Sequence, residues 1–583
     1  MDKPAQGDAA LARRRFTALA LSLLLATGAG LLFLQFGLAD GLDIMDIVRS
    51  VLIFGSTFWL AWGAVQGLWG LMWRKTTPAR AEGAISGRTA ILVPVYNEDP
   101  VVTFARVAAM DASLAALGMT GSFDFAILSD TRNDQLAAEE RRWFRHLLDE
   151  RHGDGRIFYR RRAVNTGKKA GNVEDFFSRS GAAYDYALIL DADSLMEGTT
   201  IVEMVRRMEA VPDMGLLQTL PKIIRARSRF GRAQQFSASF FSPIFARGLT
   251  LMQGRTGPFW GHNALVRVQA FASSCGLPAL SGQPPFGGHI LSHDYVEAAL
   301  LARAGWLVRL DPDLEGSYEE GPENIIDFAK RDRRWCQGNL QHSRLLMAPG
   351  LIPWSRFVFL QGILAYLAPI LWLLFILASI VAPLFVPPPD YFPEPYLLFP
   401  VFPSNQASKA IGLAIGVFGL LLLPKLMIAI EAALTGRARP FGGALIGFAS
   451  TLWDLVMSSV IAPVMLMFTT RSVFQVLMHL DAGWPPNNRG DGTLTLPEAW
   501  AAARWIVLTG VIGLAATWWL APVLVLWLLP VALPMILSPL LLAWTSRPGS
   551  RCVLRTGTEA VTPPVVARHD AIVADWQAMA ATV

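Results

Sequence analysis

The sequence predicts an α/β domain inserted between transmembrane α-helices, and three observations carry that expectation. Hydrophobic residues make up 53% of the chain and charged residues 17%, against about 25% charged in an ordinary soluble domain. That much apolar surface exceeds what a soluble fold of 583 residues hides. The apolar residues gather into long uncharged runs toward both ends. Between them, from about residue 84 to 348, short apolar segments alternate with helix-like ones, the pattern of a mostly parallel sheet. The formal charge of +5 is mild and does not collect in a basic polar domain, so nucleic acid is not an expected partner. Cys275, Cys336 and Cys552 lie far apart without a CxxC pair. They support neither a disulfide framework nor a cysteine metal site.

The first uncharged run, Phe16 to Ala39, has 24 residues and the second, Val51 to Trp73, has 23. About 20 apolar residues span a hydrocarbon core. Arg13 to Arg15 precede the first run, Arg74, Lys75 and Arg80 follow the second, and the connecting loop carries Asp40, Asp43 and Asp46. Basic flanks stay cytoplasmic, so residues 1–83 read as a hairpin with both ends inside, not as a cleavable signal peptide, whose apolar core is shorter. Hydrophobicity resumes at Phe357 and runs to Pro389, and Lys409 to Leu434 is a further candidate span carrying Lys425 and Glu431. Phe441 to Thr470 contains Asp454 and reads as one span, a tight hairpin, or an interfacial helix leading into a span. Trp505 to Ser546 gives 42 uncharged residues, enough for two passes with a turn near Pro522 or Pro530. Residues 351–546 thus form a membrane region with a cytoplasmic loop near 471–504, marked by Gly483-Trp484-Pro485-Pro486 and Asn487 to Gly492. Arg547, Arg551 and Arg555 place the tail, 547–583, in the cytoplasm. The total is six or eight passes. Lys425, Glu431 and Asp454 face a hydrated path or a partner helix, with Lys425 better read as interfacial.

In the central segment, 84–350, candidate strands are Ala90–Val95, Phe123–Leu128, Arg156–Tyr159, Tyr186–Leu190, Gly215–Thr219 and Trp306–Leu310. Ligands of such sheets bind beyond the carboxyl ends of the strands. Acids stand at four apolar ends: Tyr96-Asn97-Glu98-Asp99, Asp130, Asp191-Ala192-Asp193, and Asp294 after His289 to His293. Two carboxylates two residues apart after a strand suit a hard divalent ion, which takes one or two carboxylates plus phosphate oxygens; a surface turn is the plainer alternative. Arg160 to Arg162 followed by Asn165 to Asn172 suit phosphate, or a solvated basic face. Arg331-Asp332-Arg333-Arg334-Trp335 suit a diphosphate and a stacked sugar, or cytoplasmic charge before the span at Phe357. There is no GxxxxGK[ST], GxSxG or HExxH, which disfavours P-loop, serine-esterase and zincin chemistry.

These four features in this order resemble the membrane-embedded, inverting family 2 glycosyltransferases related to cellulose synthase. The resemblance implies a GT-A (Rossmann-like) domain with a nucleotide-holding acid, a DxD, a T/S-x-D base motif and a Q-x-x-R-W motif. Their counterparts here are Asp130, Asp191-Ala192-Asp193, Ser292-His293-Asp294 and Arg331 to Trp335, with Arg331 in place of the usual Gln. The finer wording of Arg160-Arg161-Arg162 with Lys169 to Asn172, of Phe259-Trp260-Gly261-His262-Asn263, of Ser292 to Ala298 and of Arg331 to Asn339 resembles the glucans biosynthesis glucosyltransferase H family. That resemblance implies UDP-glucose as donor, a growing β-glucan of the osmoregulated periplasmic type as product, membrane lipids around the spans, a periplasmic glucan-biosynthesis partner protein, and a place in the bacterial inner membrane with the catalytic domain cytoplasmic. It implies Mg²⁺ or Mn²⁺ on Asp191 and Asp193, and Asp294 as the base. It places Tyr96, Asn97, Glu98, Asp130, Lys169 and Arg331 at the nucleotide sugar. It places Trp260, Gly261, His262, Asn263 and Trp335 at the acceptor, and Arg334 with Trp335 in catalysis.

Some family members carry a long N-terminal extension; the short segment before the first span implies that regulation housed there is absent. Arg547 and Arg551 match the opening of a cyclic-di-GMP-binding motif without its second half, and read as an anchor. A transporter with a regulatory domain leaves the DxD, the S-x-D and the Arg-Trp cluster without a role. An enzyme making another β-glycan or a lipid-linked sugar is the nearer alternative.

Overall fold

The computed structural model describes residues 6–37, 42–385, 407–480 and 492–581. Asp40, the segment around Asp390 and residues 481–491 of the expected loop lie outside them. Ten strands are described: β1 (Thr89–Val95), β2 (Phe123–Ser129), β3 (Ile157–Arg161), β4 (Tyr186–Ile189), β5 (Leu195–Met196), β6 (Met214–Gln218), β7 (Lys222–Ile224), β8 (Ala264–Arg267), β9 (Leu307–Leu310) and β10 (Ser317–Glu320). Seven form one sheet in the order β3-β2-β1-β4-β8-β6-β9. All neighbours are parallel except β8, which runs against both β4 and β6. Strands β1 and β2 are buried almost throughout, as strands covered on both faces must be.

Alternation divides their side chains between two layers. Ile91, Val93 and Val95 pack with Phe104, Val107 and Ala108 of the helix Pro100–Ala115, while Ala90 and Leu92 pack with Val173, Phe176 and Ala298. The six strands expected from the sequence are present. β8 was not expected, because four residues beside an aromatic loop give little periodicity. The stretch His289 to Ser292, expected to be a strand end, is a loop. Its backbone is held by side chains of another helix instead of a ladder. A second sheet, β5-β10-β7, sits beyond the DxD.

Among the described residues six helices are long and apolar enough to cross a membrane, and a bent pair counted as one span makes a seventh. The first two, Gln6–Gly37 and Ile44–Leu71, form the expected hairpin, and Asp43 caps the second by accepting from Asp46 N at 2.8 Å. The helix Ser242–Gln253 lies against it backbone to backbone: a Cβ on Gly70 would sit 1.8 Å from Ile244 O, and one on Gly248 1.9 Å from Gln66 O. The turn expected near Pro522 is there, between Leu496–Leu520 and a pair of helices, Pro522–Ile536 and Ser538–Ser546, bent by 57°.

Residues 443–477 form one unbroken helix of 35 residues, about 52 Å long at 1.5 Å per residue. Both its ends touch the sheet domain or elements packed on it. At one end Phe441 and Ala438 meet Phe236 and Phe240. At the other Val473 and Val476 meet Cys336 and Leu340. A hairpin within this stretch is thereby excluded. Lys425 Nζ donates to Asp454 Oδ2 at 2.7 Å, joining helices Ala407–Thr435 and Gly443–Leu477.

Residues 547–581 pack against the rest of the chain. Their helix Pro564–Ala581 lies along Pro100–Ala115, with Val565, Val566 and Trp576 buried in the sheet-domain core. Trp576 stacks on Trp143 at 5.1 Å and donates to Glu150 at 2.7 Å.

Candidate active site

The carboxyl ends of β1, β2 and β4 open into a cleft of about 1230 Å³ that continues between the membrane helices. After β1 the chain turns at Asn97, whose φ of 53° is left-handed. The Asn97 carboxamide oxygen accepts from Arg132 N at 3.2 Å and its backbone N donates to Thr131 at 3.0 Å. Tyr96 and Glu98 line the cleft; Asn97 does not, and joins the β1 and β2 loops. Asp99 caps the following helix, accepting from Val101 N at 2.9 Å.

Beyond β2, Asp130 is buried and gripped by Arg162 through two bonds of 2.7 Å, the strong bidentate geometry of guanidinium and carboxylate. Arg160 donates to the Asn172 side chain at 2.6 Å and Arg161 to Thr131 O at 2.8 Å. The triplet expected to suit phosphate is therefore turned inward as scaffolding. Of the basic run, Lys168 and Lys169 reach the cleft.

Asp191 and Asp193 follow β4 on the cleft floor. The Ser194 hydroxyl accepts from Asp191 N at 2.9 Å, which fixes the turn. Lys169 bridges the Asp191 carboxylate and Gly261 O, the latter at 2.7 Å. Glu319 of β10 faces the same acids. Burial pushes its carboxyl above the usual carboxylate range; Asp193 and Asp191 add to that and His262 opposes it. Like charges crowded in this way are what a divalent cation relieves. Among the described residues no cluster of three or more His, Cys, Asp or Glu makes a metal cage. Two carboxylates completed by phosphate oxygens suit Mg²⁺ or Mn²⁺. The donor set thus fits an ion arriving with a nucleoside diphosphate.

The loop 258–263 forms the next wall. Gln218 at the end of β6 accepts from Trp260 N and donates to His262 O, each at 3.0 Å. Gly261 has φ of 84°, and a Cβ there would sit 3.5 Å from Asp294. Trp260, Gly261 and His262 line the cleft. Asn263 does not; it is buried and donates to Ser317 Oγ at 2.8 Å.

Asp294 stands in the first turn of the helix His293–Arg303, where backbone N–H groups favour a carboxylate. Burial raises its pKa above the usual value, while the neighbouring His293 draws it down. His293 pairs with Glu297 at 3.0 Å. The loop before it is fixed by the helix Ile325–Gln341: Gln341 accepts from Leu291 N at 3.0 Å and donates to His289 O at 3.1 Å. His342, just past that helix, sits 2.9 Å from Ser292 O. The same helix presents the Arg-Trp cluster. Arg331 lies over Trp335 at 4.7 Å, Arg331 and Arg334 line the cleft, and Trp335 is 45% exposed.

The structure thus brings Tyr96, Glu98, Asp130, Lys169, Asp191, Asp193, Trp260, Gly261, His262, Asp294, Arg331, Arg334 and Trp335 around one cleft. Sequence reasoning missed Glu319, Gln218, Gln341 and His342. For Glu319 the signal was an acid pair in a short segment ahead of the Arg-Trp cluster; the others carry none.

Parallel strand ends that present a DxD, a carboxylate at a helix start and an Arg-Trp helix to one cleft define a glycosyltransferase domain of the GT-A class. Residues 90–274 match Glycosyl transferase family 2 and residues 186–415 match Glycosyl transferase family group 2. The chain is 65% identical over 97% of its length, and 95% of the relative's, to glucans biosynthesis glucosyltransferase H of Cereibacter sphaeroides. It is 40% identical to that of Vibrio cholerae, covering 93% of this chain and 77% of the other. Among solved structures, a Pyrobaculum calidifontis mannosyltransferase in complex with GDP-Man and Mn²⁺ is similar at 16% identity and a TM-score of 0.45, over 70% of this chain and 99% of the other. The chain belongs to the glucans biosynthesis glucosyltransferase H family and is a family 2 glycosyltransferase of glucan biosynthesis.

Proposed function

We propose that the protein is a processive, inverting glucosyltransferase that polymerises glucose from UDP-glucose and passes the β-glucan through its own membrane helices. The observation that carries this reading is the continuity of the cleft, which has Asp191, Asp193 and Asp294 at one end and Gln361, Tyr366 and Thr469 of the long apolar helices at the other. A product released to water or to a lipid needs no such passage.

The donor lies over the β1 and β2 ends, against Tyr96 and Glu98, on the loop that Asp130 and Arg162 hold. Asp191 and Asp193 would hold a divalent ion, which when bound would supply positive charge against the diphosphate. Lys169, Arg331 and Arg334 add cationic hydrogen-bond donors on the same side. Asp294 takes the proton of the acceptor hydroxyl as it attacks the anomeric carbon opposite the diphosphate. Trp260, Gly261, His262 and Trp335 shape the acceptor place. Asn97 and Asn263 act on loop geometry.

In this reading the sheet domain and both termini are cytoplasmic, in the bacterial inner membrane. Gly443–Leu477, touching the domain at both ends, lies along the cytoplasmic face. The bent pair 522–546 is then the sixth crossing, so both ends of the chain stay inside. A periplasmic glucan-biosynthesis protein receives the polymer.

Purified protein in vesicles, catalytic domain outward, given UDP-glucose and Mg²⁺, should accumulate water-soluble glucan that resists glucanase added outside. Glucose recovered in the lipid extract, or polymer fully digested from outside, overturns the reading.

A further inference from the structure

Arg106 is almost fully buried, at 2% exposure. It donates through Nη1 to Ala192 O, the carbonyl between the two DxD acids, at 2.9 Å. Its Nη2 donates to Glu320 Oε1 at 2.7 Å. The same Glu320 oxygen accepts from Arg225 Nη1 at 2.9 Å. Arg225 in turn reaches the C-terminal helix Pro564–Ala581, donating to Asp570 at 2.6 Å and meeting His569 Nδ1 at 2.6 Å. His569 Nε2 sits 3.1 Å from Val102 O of the helix that follows the Tyr96–Asp99 loop. A third tie is Glu197, which accepts from Val565 N at 3.0 Å.

Three features make this more than a surface network. Arg225 holds a left-handed φ of 62°, a conformation costly for a side-chain-bearing residue and kept when its surroundings demand it. Strand alternation in β10 sends Glu319 to the donor cleft and Glu320 to the arginines. The small sheet gathers the parts: β5 follows the DxD turn, β7 ends just before Arg225 and β10 ends at Glu320. The two arginines hold the Glu320 carboxylate down to about 2 against its burial, so the link persists across the physiological range.

We propose that Arg225, seated by His569 and Asp570 of the C-terminal helix, is a positioning residue for the DxD turn, acting through Glu320 and Arg106. The C-terminal helix is thereby a working part of the donor site. This rests on the donor-site reading of Asp191 and Asp193.

The test uses the full-length protein in detergent with Arg225→Met, Asp570→Ala and Asp193→Ala. Hydrogen exchange is followed at residues 190–195, where Ser194 N donates to Asp191 O at 3.1 Å, and UDP affinity is measured with Mn²⁺. Arg225→Met should speed exchange in 190–195 while residues 564–581 stay protected, and weaken Mn²⁺-supported UDP binding on the order of tenfold, as loss of an outer-shell support does. Asp570→Ala should do the same to a smaller degree. Unchanged exchange in 190–195, or exchange that rises in the C-terminal helix alone, overturns the proposal. UDP affinity lost in Asp193→Ala but kept in Arg225→Met also overturns it. Affinity kept in both sinks the donor-site reading, and the proposal with it.

Discussion

Gly338 and Ser292 pass so close that a Cβ on the glycine would lie 2.2 Å from the serine hydroxyl oxygen. The helix that carries the Arg-Trp cluster therefore also sets the loop that carries Asp294. Gly338→Ala must displace one or the other. Since small misplacements of a reacting group cost up to about a hundredfold in rate, polymer synthesis should fall by on the order of 10- to 100-fold. UDP affinity, for which Asp191, Asp193 and Lys169 stand on elements outside this contact, should fall much less. Equal losses of both would show that the contact serves folding alone.

Asp193→Ala should remove the divalent-ion dependence of UDP binding. The acid stands on the cleft floor beside Asp191, and one carboxylate with phosphate oxygens is a weaker seat for a hard cation. Calorimetric titration of UDP with and without Mn²⁺ checks this. An unaltered difference between the two titrations rejects the metal assignment.

Asp294→Asn should lower synthesis on the order of 10²–10⁴-fold, the worth of a general base, with UDP affinity retained. The base works ionised, so kcat/KM falls as pH drops through its pKa. Burial places that pKa above the usual carboxylate value and His293 pulls it down. His293→Asn should therefore move the acidic limb of the pH profile to higher pH. A limb that stays in place, or moves down, contradicts the assignment.

Burial lowers the pKa of His342 to about 4, below its unfolded value of about 6.5. The folded state holds it neutral, and the unfolded chain takes up the proton first. Stability is thus full above about pH 6.5 and falls with pH toward 4, by on the order of 2 kcal/mol at pH 5. Thermal unfolding at pH 7.5 and 5 should show this loss, and His342→Gln should lessen it. The same loss in both proteins would assign it elsewhere.

The sheet and the cleft floor were legible because each strand ends on a short polar cluster after an apolar run. Val95, Leu128 and Leu190 lead straight into Tyr96, Ser129 and Asp191, and chain order alone brings those ends together. Asp294 was legible as a residue but not as a placement. Its loop has no ladder of its own and takes its shape from Gln341 and His342, some 50 positions away. The Arg160 to Arg162 triplet misled for a related reason. A guanidinium that grips Asp130 and one that grips a phosphate look the same in sequence, and long-range pairing decides between them. The C-terminal helix has apolar residues at Val565, Val566 and Trp576, yet nothing local says that their partner is a surface formed 400 residues earlier.

The Lys425–Asp454 pair has a consequence for how the chain is made. The lysine is synthesised 29 residues before its partner, ten residues short of the end of its own helix at Thr435. A lone cation at that depth resists leaving the translocon for lipid, at about 2.5–3.5 kcal/mol for a central position. Helix Ala407–Thr435 must then wait at the lateral gate until Asp454 emerges. Helix Ala407–Thr435 settles only when its partner helix at the cytoplasmic face has been made, and the order of translation fixes their pairing before the last crossing exists.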